Sequence, residues 1–335
     1  MKSPMNRALA SRLAAATLLA ASLSGLYSTR TFAAETPPDD ASVETIEVTG
    51  ERPGPRLWRV SKGDHVAWLL GTLDPLPKQM TWRSRELEKV LDEVKQVLPS
   101  EPDVDLDAGP ITLVRTYFTW RKVRTLPDDA TLKDWLPPPL YQRWSALKVR
   151  YAFRDEKVEH QLPVLAGLKL YRRALDVSKL SSGTGIEKAV VKLARKHNVR
   201  VRQTQIKVRD PRDLVIEVGD IPRAAQVACL DAIVERLEKD IEILKAQANA
   251  WALGDVATLR SLPYPKEVQS CSDALERSGK MKKIIDEANG GWNAALEQAL
   301  NAGVPTLGIR PIYELLKPDG TLAMLRAKGY QVEGP

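Results

Sequence analysis

The sequence predicts an α/β fold, a central mixed β-sheet flanked by helices within a single domain. Three observations point there. Residues 57 to 77 hold two runs rich in β-branched, aromatic and aliphatic residues around the polar turn Lys62-Gly63-Asp64, the pattern of a hairpin. Short strand-like segments recur at 97–98, 199–202 and 304–308, separated by long stretches of helical periodicity. Roughly 280 residues remain once the N-terminal region is set aside, about the upper size for one core.

Residues 1–34 read as a secretory signal peptide. Lys2, Arg7 and Arg12 precede an apolar run from Leu13 to Leu26, and small residues follow at Thr31, Ala33 and Ala34. An uncleaved anchor is the alternative, but the run is short and Ala/Ser-rich, and no later stretch approaches ~18 apolar residues. The expectation is an exported protein, periplasmic or secreted, with no membrane span after signal removal. Residues 35–56 contain Pro37-Pro38-Asp39-Asp40 and Arg52-Pro53-Gly54-Pro55 and predict a disordered linker, leaving 57–335 as the domain. Of the net charge of +7, four charges belong to Lys2, Arg7, Arg12 and Arg30 in the signal, which has no acidic residue. The remaining mild excess gives no footprint for nucleic acid.

The elements follow in order. The second hairpin run is apolar on consecutive positions, so it predicts a strand buried on both faces and central in the sheet. It ends at Gly71-Thr72-Leu73-Asp74 with Pro75 and Pro77, where the backbone must leave the sheet; strand ends of this kind carry chemistry. Leu87, Val90, Leu91 and Val94 give helical spacing over 84–95, and Val97-Leu98 a short strand running into Pro99-Ser100-Glu101. Asp103, Asp105 and Asp107 would need Gly at 108 and Glu at 114 to make a calcium loop. The chain has Ala108 and Val114, so a solvated loop is expected.

Helices are predicted over 110–125, 138–150 and 156–177. Gly183 and Gly185 precede a further helix to Lys196 without a Walker lysine, and Thr184 with Glu187 makes a capping box. Residues 199–202 alternate as a strand, and 222–262 are helical with a break at Gly254-Asp255, a C′ glycine followed by an N-cap. Residues 274–300 are helical again, and 304–308 form the last buried strand. Cys229 and Cys271 allow a disulfide in an oxidising compartment; two separate free thiols are the alternative.

On these residues the chain resembles the TraB/GumN family, whose relatives include the Tiki-type metalloproteases. The resemblance spans about 57–333. It rests on the opening hairpin, Gly185-Ile186-Glu187, Trp251-x-x-Gly254-Asp255, and a closing Leu325-Arg326 through Gly329-Tyr330 to Val332. The chemical landmarks differ. The first Gly-x-x-His of the family falls on Gly71 and Asp74, and the second on Gly308-Ile309-Arg310-Pro311, where proline offers no ligand atom. The family's acidic residue after the next strand falls on Ser100, or on Glu101 with a shift of one, and its Leu-Glu-Thr on Arg202-Gln203-Thr204. His65, His160 and His197 stand at none of these positions. A hydrolytic metal site needs about three protein ligands and an open position, so neither a metal site nor a cofactor is expected.

The resemblance therefore implies a catalytically inactive binding or accessory protein of the cell envelope. Its candidate cleft comprises Asp74, Glu101, Glu187, Gln203 and Arg310, with Arg310 beside Asp74 and Glu101 as a salt-bridged polar patch. The partner would be an envelope protein or a small ligand. The alternative is a metal-dependent, peptidase-like hydrolase that holds a hard cation through Asp74, Glu101 and Glu187.

Overall fold

The computed structural model describes residues 54–80, 85–181, 185–239, 241–261, 266–276 and 279–335. The signal peptide, nearly all of the linker, and the Thr184 half of the capping box lie outside the described residues.

The hairpin is β1 (Leu57–Lys62) and β2 (His65–Thr72), turning at Gly63 with Leu57 opposite Leu70 and Lys62 opposite His65. Then follow α1 (Arg85–Glu93), β3 (Gln96–Leu98), β4 (Asp103–Leu106) and α2 (Pro110–Val123). A helical layer comes next: α3 (Leu132–Trp135), α4 (Pro138–Arg150) and α5 (Pro163–Val177). The chain returns to the sheet through α6 (Gly185–Lys196), β5 (Arg200–Val201) and β6 (Gln205–Val208). Six helices follow: α7 (Pro211–Gly219), α8 (Arg223–Lys239), α9 (Ile241–Leu253), α10 (Val256–Ser261), α11 (Lys266–Glu276) and α12 (Gly279–Asn301). The chain closes with β7 (Thr306–Pro311), α13 (Ile312–Leu316), α14 (Thr321–Ala327) and β8 (Gln331–Glu333).

Six strands make the main sheet in the order β5-β3-β7-β2-β1-β8. The first four run parallel, while β1 and β8 are antiparallel additions at one side. The sheet is mixed, as predicted. β2 and β7 lie in its middle, which is why their residues are apolar on consecutive positions: Ala67, Leu69, Leu70, Leu307 and Ile309 are all shut off from water. Among the described residues two large apolar cores result, with a small third cluster at Leu175, Leu180 and Leu244. One wraps the sheet with Trp58, Trp251 and Trp292; the other is helical and gathers Trp144, Leu170, Leu230 and Val234 from α4, α5 and α8. Cys229 of α8 and Cys271 of α11 form a disulfide across the edge of the helical core, with Cα atoms 4.6 Å apart.

Two local expectations change. The 156–177 helix is divided, a 3-10 turn at Glu156–His160 preceding α5, because Pro163 suits a first turn and not an interior. Asp103–Leu106 is solvated as expected but is a strand, not a loop. It pairs in parallel with β6 as a two-stranded ribbon that carries β3 and β5 onward beyond the sheet.

Candidate functional site

The parallel strands β3, β7 and β2 end together, and their ends make the floor of a cleft of about 290 Å³. β2 contributes Thr72, Leu73 and Asp74; the exit from β3 contributes Ser100 and Glu101; β7 contributes Pro311. Ile186 and Glu187 from the first turn of α6 form the opposite wall, and Tyr313 closes one side. This is the place where the geometry of a parallel sheet opens a crevice: strands diverge from helices at their carboxyl ends.

Each wall is fixed from outside the cleft. Thr72 donates through Oγ1 to the carbonyl of Arg310 at 3.3 Å, tying the end of β2 to β7. Trp251, buried on α9, donates its indole N–H to the carbonyl of Gly71 at 2.8 Å. The turn after α9 then reverses at Gly254, whose φ of +69° suits a residue without Cβ, and Asp255 caps α10 by accepting from the Thr258 amide at 3.0 Å. The loop beyond Asp74, whose bond to Pro75 is cis, is stitched to the segment leading into α6. Ser181 donates to the carbonyl of Leu76 through both its amide and its hydroxyl, and Lys78 donates its amide to Lys179.

Glu187 is the most constrained polar group here. It is 8% exposed, and its Oε2 accepts from the Ser100 amide at 2.8 Å. Burial pushes its carboxyl above the usual range, and nearby Glu101 adds to this, while the amides of Ser100 and Glu101 pull the other way. Asp74 and Glu101, by contrast, are exposed at the rim.

The chain matches the model of the TraB/PrgY/gumN family over residues 56–334. It belongs to that family. No curated protein and no solved structure matches it significantly.

In this TraB/PrgY/gumN chain, three of the five sequence candidates meet in the cleft: Asp74, Glu101 and Glu187. Gln203 lies behind the rim, donating its amide to the carbonyl of Glu101 at 3.2 Å. Arg310 does not join Asp74 and Glu101 in a polar patch. Side chains alternate along β7, so Pro311, in register with Thr72, faces the cleft, while Arg310, in register with Gly71, faces the other way. There it stacks on Trp292, 4.7 Å from the ring centroid, and donates to Asn289 at 2.9 Å. Thr72, Leu73, Ile186 and Tyr313 also line the cleft. They carried no sequence signal beyond their nearness to the landmarks.

The donors present do not fit the metal that the family resemblance implies. Pro311 occupies the wall where a ligand side chain would be needed. Among the described residues, no three His, Cys, Asp or Glu side chains converge closely enough to hold a metal ion. The three histidines are elsewhere: His160 contacts the carbonyl of Ala130 and His197 pairs with Asp92, both at the surface, and His65 sits exposed at the hairpin turn. No helix among the described residues is long and apolar enough to cross a membrane.

Proposed function

We propose that this chain is an exported binding or accessory protein of the cell envelope that uses the family cleft without metal chemistry. The observation that carries the reading is the composition of the cleft wall. Pro311 stands where the second motif would place a ligand, and the buried carboxylate, Glu187, is committed to the Ser100 amide. Leu73, Ile186, Pro311 and Tyr313 give the walls apolar surface, and Asp74 and Glu101 give the mouth negative charge. A volume near the lower end of small-molecule sites suits a small ligand or one side chain of a partner. A cationic head on an apolar stem, such as a lysine or arginine side chain, matches both features.

The test is elemental analysis of protein purified without chelator, with melting in added Zn²⁺, Mn²⁺ and Ca²⁺ and an assay for peptide cleavage. We expect no stoichiometric metal, no rise in Tm and no cleavage. One metal per chain together with metal-dependent cleavage would sink this reading. A second reading, a hydrolase with altered ligands, draws on the three carboxylates that line one cleft. Under it Asp74→Ala abolishes activity; under the first reading Asp74→Ala alters only ligand binding.

A further inference from the structure

Helix α2 presents its apolar side to water. At 100° per residue, Thr112, Thr116, Thr119 and Val123 fall on one side, and that side packs on α7. Arg212 of α7 donates to the Thr119 hydroxyl at 3.2 Å, and Val123 fills the space beside Gly219. The hydroxyls of Thr116 and Thr119 also turn back to carbonyls of their own helix. The opposite side carries Ile111, Val114, Tyr117 and Phe118, with Ile111 75% and Phe118 60% exposed; Tyr117 and Phe118 meet edge to face. No residue of the helix is buried. A surface helix ordinarily does the reverse, burying its apolar stripe and wetting its threonines. With Leu113 the stripe exposes on the order of 500 Å², as large as the most prominent patch of an ordinary monomer.

Charge decides what covers it. α2 contains no acidic residue; Arg115 is exposed in its first half, and its last turn carries Arg121 and Lys122, with Arg124 just beyond. The chain enters α2 from β4, whose Asp103 and Asp105 are exposed, while Asp107 just after it pairs with Lys207 of β6 at 3.1 Å. An anionic membrane surface would attract one end of this element and repel the other. A second copy laid antiparallel satisfies both. Over a helix about 20 Å long, each basic end then meets the acidic approach to the other helix, and the two apolar stripes face each other. Antiparallel helix dipoles add to the match.

We propose that α2 is a homodimer interface, a second copy docking its own α2 antiparallel across a two-fold axis. Glu101 of the cleft lies two residues before β4, but no residue of α2 lines the cleft. The proposal is independent of what the cleft binds.

The experiment measures molar mass by light scattering on protein expressed with its own N-terminal segment and purified as it matures. The wild type is expected at twice the chain mass. Phe118→Glu is expected at the chain mass and still folded, with a cooperative melt whose Tm no longer depends on protein concentration, since the side chain is exposed in the single chain. Two charge-reversed proteins distinguish this pairing from other causes. One carries Arg121→Glu with Lys122→Glu, the other Asp103→Lys with Asp105→Lys. Each alone should be monomeric through repulsion of like charges, and an equimolar mixture should regain the doubled mass as a heterodimer. A monomeric wild type, or a mixture that stays monomeric, overturns the proposal. So does a monomeric wild type that sediments with phosphatidylglycerol vesicles while Phe118→Glu does not; α2 would then be a membrane-surface helix.

Discussion

Glu187 joins two parts of the chain that lie far apart in sequence: it sits in the first turn of α6 and accepts a hydrogen bond from Ser100 at the exit of β3. Its spacing from Thr184 marks a helix start, and the same carboxylate serves the cleft wall. Because burial raises its pKa, the folded protein holds this proton to higher pH than the unfolded chain does. Between the usual carboxylate range and that raised value, the folded state binds more protons, so stability falls as pH rises through the window. Glu187→Gln removes the titration and keeps an oxygen for the Ser100 amide. The Tm of the variant relative to wild type should therefore climb from acid to neutral pH and level off above the window. Thermal melts across that range test it, and a flat difference would show that Glu187 is not held protonated. Arg310 teaches the opposite lesson about reading single positions. One residue from the cleft-facing Pro311, it faces Trp292 instead, because neighbouring strand residues point to opposite sides.

β7 shows how tightly the central strands are fitted. A Cβ at Gly308 would come within 2.9 Å of Leu69 Cδ2 and 3.0 Å of Trp292 Cζ2, so β2 and α12 close over that position. Gly308→Ala should cost about 1–3 kcal/mol through overpacking, read as a lower denaturant midpoint with an unchanged slope. A cost near zero would mean that Trp292 can shift, and with it Arg310. The hairpin, the capped break at Gly254-Asp255 and the last buried strand were all legible, because each is set by local turn chemistry or by continuous apolar runs. β6 and α7 were not. β6 is four residues long with Lys207 exposed and only Ile206 and Val208 buried, and its pairing with β4 depends on where β3 and β5 have already placed both chains.

The two cores share one chain but rest on different supports. The sheet core is closed by Trp58, Trp251 and Trp292, whereas the helical core has the Cys229–Cys271 link across its edge. Closing 42 residues of sequence separation constrains the unfolded chain by about 4 kcal/mol in the loop-entropy model. That is a large share of the roughly 5–15 kcal/mol that holds a folded domain. Reduction should therefore lower the unfolding midpoint markedly. Hydrogen exchange under reducing conditions should lose protection in α4, α5, α8 and α11 before β2 and β7. Uniform loss across both cores would show that they unfold as one unit.

Periodicity, turn residues and ordered landmarks carried the fold class, the order of most elements and the family, because these follow from interactions within a few residues of each position. The cysteine pairing was open between a disulfide and two thiols until α8 and α11 were seen side by side. The composition of the cleft belonged to the tertiary structure too. Asp74, Glu101 and Glu187 come from three elements, and their meeting depends on strand register and on helix packing against the sheet. The same holds for α2, which the sequence predicts only as a helix over 110–125; packing shows that its threonines face α7 while Tyr117 and Phe118 face water. A sequence states which residues share a side of a helix or strand. Only the sum of many weak long-range contacts settles which side is turned inward.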